Sequence, residues 1–345
     1  MGAKLDEIIK NVNKTAKDEI ISKGLSSYDY ERIPFTSPRM NFMTYGGLAE
    51  GKLIEFFGEN HGGKTTTALD IVANFQNKYP DREVLYVDAE NSLDTVWATK
   101  IGVDVERMYI LQPKAQSAEE IFEIMCNAVE SGEVGLWVLD SIGALMSQQE
   151  YDKTMEDKTY GGVSKPLTLF GKKIEQLNHK YNCTGIGINQ LRANMNSPYG
   201  GMTTPGGEGW KFLCSTRIQF SMGKFFDAKG NDLTRGAENP AGNYVMASII
   251  KNKTAPPSRR LGQYRIRYDM GIDYLADLVD VAILYNIVDK HGAWYSIVNP
   301  ETGEILKESI QGITNVYAVL EEDESLLGQL EELVNSHSDT PSEVG

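Results

Sequence analysis

The sequence predicts an α/β protein built on a mostly parallel central sheet, with a small helix-and-strand element before it and a small α+β domain after it. Three observations predict this class. Between about Pro34 and Met270 short apolar runs alternate with helical patterns, the order that places parallel strands under covering helices. One of those runs ends in a glycine-rich loop that opens a helix. A chain of 345 residues, 41% apolar and 24% charged, has the composition of a globular protein and room for one large domain with smaller ones.

Taken in order, LDEIIKNVNKTAKDEIISKG (5–24) spaces Ile and Val as a helix does and closes on glycine. A polar, proline-containing stretch follows, and residues 1–33 are expected to form an N-terminal element outside the core. Strands are expected at LIEFFG (53–58), EVLYVDAE (83–90), MYILQP (108–113), GLWVLDS (135–141) and TGIGINQ (184–190), with helices between them. TRIQFSM, NYVMASIIK and QYRIRYDM follow without helices and should extend one side of the sheet as antiparallel hairpins. Asn194 to Trp210 holds five glycines and two prolines and is expected to be an irregular loop. The core is thus 34–270. Residues 271–335 read as helix, strand pair and helix, and 336–345 as a disordered tail.

Several classes are disfavoured. No apolar run approaches the ~18 residues of a membrane span, and the charged, amphipathic start MGAKLDEIIK lacks a secretory apolar core. A cytoplasmic protein is expected. Cys126, Cys183 and Cys214 lie far apart, with no CxxC pair and only four histidines, which argues against disulfides and zinc. The net charge of −14 is concentrated at the end: after Lys307 there are nine acids and no Lys or Arg. Between Tyr151 and Phe220 nine basic residues face five acids, and KNKTAPPSRR (251–260) carries four basic residues and no acid.

GENHGGKT (58–65) fits GxxxxGK[ST] between a strand and a helix. Gly58, Gly62 and Gly63 should let backbone N–H groups turn around an anion, with the helix dipole behind them. Lys64 would reach the β and γ phosphates and Thr65 would ligate Mg²⁺. Asp140, closing an apolar strand before Ser141, is placed to hold Mg²⁺ through water. Asp88 and Glu90 end another strand. One of them could orient and deprotonate a water, the alternative being a solvated acidic loop. Asn189 and Gln190 could contact a γ-phosphate or simply form a turn. Lys251 and Lys253, two apart on a strand, could reach a neighbour's phosphates or protect a sheet edge.

GENHGGKTT, YVDAENSLD, KIGVDVERMYILQP, LWVLDSIGAL, INQLRANM, TTPGGEGWKF, IIKNKTAPP and LVDVAILYNIVDKHGAWYS occur in series, and with them the chain resembles the bacterial RecA-type recombinases from about Glu31 to Val334. The resemblance implies a RecA-like P-loop ATPase core that binds ATP and Mg²⁺. It implies a helical filament on single-stranded DNA that pairs it with homologous duplex in DNA repair and the SOS response. By matching position, Gly58, Glu59, Asn60, His61, Gly62, Gly63, Lys64, Thr65 and Thr66 hold phosphate. Asp94 and Trp97 lie beside the adenine, Trp97 where the family usually has tyrosine. Glu90 is the general base, Asp140 with Ser141 the magnesium side, and Gln190 the γ-phosphate sensor. Lys251 and Lys253 reach ATP across the subunit interface, and Phe212 with Arg217 couples that interface to DNA.

Two DNA-facing loops follow from the same match. The first spans about 155–163, with Lys158, Tyr160, Gly161 and Gly162, and Lys165 and Lys172 beyond it. The second spans 194–210, with Asn194, Met195, Gly206 and Gly207, between Arg192 and Lys211. Residues Glu59 to Gly62 depart from the common family loop, and the divergence would suit a phage- or plasmid-encoded copy. The rival expectations are a ring-forming RecA-fold helicase and a low-turnover, ATP-gated single-strand-binding accessory protein.

Overall fold

The computed structural model describes residues 3–16, 30–153, 162–193, 201–234 and 236–339. By internal contact the chain divides into Met1–Glu31 and Arg32–Gly345. The first unit carries the helix Ala3–Ala16; positions 17–24, where the periodicity continues, lie outside the described residues. Arg32–Ile33, expected with the N-terminal element, is a short strand of the second unit and pairs antiparallel with Leu48–Ala49. Arg32 Nη2 donates to Thr254 O at 2.6 Å, which explains why the strand belongs there.

The main strands of the central sheet are β1 (Leu53–Gly58), β2 (Glu83–Asp88), β3 (Met108–Leu111), β4 (Val134–Asp140) and β5 (Thr184–Gln190), then β6 (Thr216–Phe226), β7 (Gly242–Asn252), β8 (Leu261–Arg267) and β9 (Gly271–Ile272). Their order is β9-β8-β7-β6-β1-β5-β4-β2-β3. From β6 to β3 every pairing is parallel. On the other side β6, β7, β8 and β9 pair antiparallel, as expected of three helix-free runs. Every residue of β1 and β4 is buried, the pattern of strands covered on both faces.

One face carries the helix Lys64–Lys78, which packs with Ile54, Phe56, Val84, Tyr86, Val138 and Ile188. The other carries the helices Ala118–Glu130, Ser164–Tyr181 and Gly207–Leu213 over Leu53, Val87, Trp137 and Leu139. Two indoles fill that second layer, and β5 makes room for them. A Cβ on Gly185 would stand 2.1 Å from Trp137, and one on Gly187 2.7 Å from Trp210.

The stretch 194–210 is less irregular than its composition suggests. Positions 194–200 lie outside the described residues, but Met202–Thr203 pairs with Arg192–Ala193 and a helix starts at Gly207. Gly206 takes the left-handed cap position at φ +98°, and burial of Trp210 beside Phe170 holds the short helix down. The apolar contact of one residue thus outweighs the low helix propensity of its glycine neighbours.

The C-terminal part has its own core, among others Leu278, Val281, Ile297, Val316 and Leu330. It comprises the helix Tyr274–Leu284, strands Val288–His291, Trp294–Val298 and Ile305–Gln311, and helices Ile313–Glu322 and Glu324–Asp339. A third strand thus joins the expected pair, and the last helix runs through 336–339, where a tail was expected, because Leu330 and Val334 anchor it. Asp277 ties this part to the core: it is fully buried and accepts from the Ser37 hydroxyl and from Arg39 N.

Candidate nucleotide site and subunit-facing surface

β1 delivers the loop 58–63 to the helix Lys64–Lys78 at the carboxyl edge of the sheet. Gly63 sits at φ +86° as the residue before that helix, and a Cβ there would stand 2.8 Å from Val245. Gly58, at φ +152°, and His61, at φ +59°, are the other positive-φ residues of the loop, and Gly62, contrary to expectation, is not one. Gly62 is needed for space instead: a Cβ would lie 3.1 Å from both Glu59 O and Phe220 O. Lys64 Nζ donates to Glu59 O at 2.6 Å and to Gly58 O at 3.3 Å. Burial lowers its pKa, while Asp140, Glu90 and Glu59 pull it back up.

Thr65 Oγ1 donates to Asp140 Oδ2 at 2.7 Å, which also accepts from Tyr86 OH at 3.0 Å. Burial raises the Asp140 carboxyl above its ordinary range, and the bonds from Thr65 and Tyr86 oppose that. Among the described residues no group of three or more His, Cys, Asp or Glu could hold a metal. Thr65 at the helix start and Asp140 at the end of β4 offer a hydroxyl and a carboxylate, hard oxygens that suit Mg²⁺ when phosphate and water complete the shell.

The second carboxylate is Glu90. Its Oε1 accepts from Ser141 Oγ at 2.5 Å and from Gln190 Nε2 at 2.7 Å. Three strand ends therefore meet at one oxygen. Asp88 takes no part in this: it is buried and accepts from Ser92 N, Leu93 N and Gln112 Nε2, so its role is to hold the turn that presents Glu90.

A cavity of about 670 Å³ opens from His61–Thr66. Trp97 lines it and donates from Nε1 to Thr66 Oγ1 at 3.4 Å. Asp94 does not line it; its carboxylate caps the helix Thr95–Ile101, accepting from Val96 N and Trp97 N. The far wall is formed by Met222, Phe225, Pro240 and Tyr268. These residues escaped the sequence reading, because Met222 and Phe225 look like ordinary residues of a strand and Pro240 and Tyr268 like ordinary flanks of strands.

Lys251 and Lys253 lie elsewhere. Lys251 shares a rung with Arg217 on β6, and Arg217 shares one with Glu55 on β1, whereas Gly58 pairs with Phe220. They stand at least three rungs from their own phosphate loop, about 10 Å along the sheet. Lys251 Nζ donates to the carbonyls of Lys211 and Phe212, both at 2.8 Å, and Lys253 Nζ to Phe212 O at 3.4 Å. Burial and then Lys253 lower the Lys251 pKa. Phe212, beside them, is 70% exposed.

The sequence matches the RecA N-terminal domain over residues 3–273 and the RecA C-terminal domain over 276–339. This chain belongs to the RecA family. It is similar to Protein RecA of Sulfurovum sp., 32% identical over 95% of this chain and 90% of that protein. It is likewise similar to Protein RecA of Fusobacterium nucleatum, 33% identical over 89% of this chain and 76% of that one. With Protein RecA of Sulfurimonas denitrificans it shares 34% identity over 84% of this chain and 79% of the relative.

In this RecA-family chain the DNA-facing candidates are only partly in view. Lys158, Tyr160, Gly161, Asn194 and Met195 lie outside the described residues. Arg192 is exposed and donates to Gly143 O at 2.9 Å. Lys211 bonds Thr203 Oγ1 and pairs with Glu208 at 2.7 Å. Gly206 and Gly207 open the short helix, whose first turn packs on Leu167 and Ser164. Lys165 and Lys172 are exposed on Ser164–Tyr181, and Lys165 lines a groove toward Ala118–Glu130. Two residues behind the site escaped the sequence reading as well: Tyr86, which braces Asp140, and Glu55, a lone acid inside the apolar run LIEFFG that bonds Asn189 and Arg217.

Proposed function

We propose that this RecA-family chain is a DNA-repair recombinase: a DNA-dependent ATPase that assembles on single-stranded DNA and pairs it with homologous duplex. The observation that carries the reading is the separation of the lysine pair from the phosphate loop. One chain supplies Lys64, Thr65, Glu90 and Asp140, while its own Lys251 and Lys253 are out of reach, so a complete nucleotide site needs two subunits. A heterologous contact of this kind builds an open polymer when its rotation does not close into a ring. No helix among the described residues is long and apolar enough to cross a membrane, and a cytoplasmic setting belongs to the same reading.

The chemistry follows from the side chains. Glu90 takes the proton of the attacking water, and Ser141 and Gln190 orient its carboxylate. Lys64 places a partly desolvated cation against the phosphates, where it acts more strongly than in water. Thr65 and, through water, Asp140 would hold Mg²⁺, which would supply charge neutralisation of the phosphates. Gln190 meets either Glu90 or a γ-phosphate, and its strand leads into the segment 191–207, so nucleotide state biases the DNA-facing loop. Basic and aromatic loop residues would grip the backbone and bases without reading sequence.

ATP hydrolysis measured with and without single-stranded DNA tests the reading, together with electron micrographs of the protein on single strands. Stimulation and nucleotide-dependent filaments are expected, and both should be lost in Lys64→Ala. Hydrolysis indifferent to DNA, with monomers on the strand at saturating ATP and Mg²⁺, would end the proposal.

A further inference from the structure

We propose that Glu55 is a positioning residue that ties the γ-phosphate sensor to the subunit-facing surface by holding the Asn189 amide and the Arg217 guanidinium at once. The inference rests on the functional reading above and deepens it. Glu55 has no exposed surface, and a carboxylate in that setting must find strong partners. It finds them on the two strands that flank β1. Oε1 accepts from Asn189 Nδ2 on β5 at 3.0 Å, and Oε2 accepts from Arg217 Nε on β6 at 2.5 Å. The Arg217 guanidinium also lies over the Phe57 ring, 4.5 Å from its centroid.

A carboxylate of this kind only accepts, so it decides which way the Asn189 amide faces. Its nitrogen turns to Glu55 and to Pro205 O, at 2.9 Å, and its oxygen accepts from Gln190 N at 3.0 Å. Pro205 precedes Gly206, the cap of the helix Gly207–Leu213, whose last carbonyls are bound by Lys251 and Lys253. Arg217 in turn shares its rung with Lys251. One buried carboxylate therefore controls both ends of the same short helix: the start through Asn189 and the end through the β6–β7 rung. When Gln190 leaves Glu90 for a phosphate, a shift of the adjacent Asn189 pulls on one oxygen of Glu55, whose other oxygen holds Arg217. The element with two arrangements is the segment Pro205–Leu213, and both sites bias it.

The test compares the parent protein with Glu55→Gln and Glu55→Asp. Affinity for a fluorescent oligothymidylate is measured with and without a non-hydrolysable ATP analogue, and affinity for a fluorescent nucleotide is measured separately. The parent should show a large analogue-dependent gain in DNA affinity. In both variants nucleotide affinity should stay within about twofold, while that gain falls by about tenfold or more. Glu55→Asp keeps the charge but cannot span both partners, so it carries the test if Glu55→Gln does not fold. A full gain in the variants overturns the role of Glu55, as does a loss of nucleotide and DNA affinity in step, which marks a purely structural residue. No gain in the parent itself would instead remove the underlying functional reading.

Discussion

Glu90, Ser141 and Gln190 come from three strand ends and converge on a single carboxylate oxygen, which separates binding from chemistry at the level of one residue. Glu90→Gln should bind ATP and single-stranded DNA within a few-fold of the parent yet hydrolyse about 10²–10⁴ times more slowly; parallel binding and turnover assays check it, and equal losses in both would refute the assignment. A second residue-level expectation concerns Asp277, whose carboxyl is pushed up to about 7, chiefly by burial. An acid raised this way holds its proton more tightly folded than unfolded. Its contribution is complete below its unfolded pKa of about 4 and is lost as pH rises through about 7. Asp277→Asn keeps an acceptor for Ser37 and Arg39, so it should gain about 1–3 kcal/mol over the parent at pH 8 and little at pH 4. Urea midpoints across that range decide the matter. At this scale the sequence was legible where chemistry follows chain order. GENHGGKT declares itself because the candidate phosphate cradle is one continuous backbone loop. Glu55 and Tyr86 did not, because their partners lie 162 and 54 positions away along the chain.

Strands and helices were legible wherever burial on both faces leaves an unbroken apolar run, as in β1 and β4. One element that departed from expectation is the helix Gly207–Leu213. Its glycines predict irregularity, and tertiary contacts absent from local propensity stabilise it, above all the pocket that receives Trp210. The same layer supplies an element-scale prediction. Gly185→Ala would drive a methyl into the Trp137 ring, with 2.1 Å available. The variant should lose about 1–3 kcal/mol or more in denaturant unfolding, and Gly185→Ala combined with Trp137→Phe should recover part of it. An unchanged midpoint would mean that β5 and the indole are packed less tightly than described.

At the scale of the whole molecule, the phosphate loop and the lysine pair belong to different ends of the sheet, and that makes complementation measurable. Lys64→Ala and Lys251→Ala should each abolish DNA-stimulated hydrolysis alone. In an equal mixture about a quarter of the interfaces combine an intact loop with an intact lysine, so about a quarter of parental activity should return; no recovery would show that the site is complete within one chain. Under the proposed function, copies joined through so one-sided a seam would line up facing the same way, and the resulting thread would have a direction. At one tip a phosphate loop would stand open, and at the other the surface of Lys251, Lys253 and Phe212. The two tips therefore sense nucleotide differently, and arrival and departure of copies should be fast at one and slow at the other. A trace of protein lacking both lysines would halt elongation at a single tip and leave the opposite one growing.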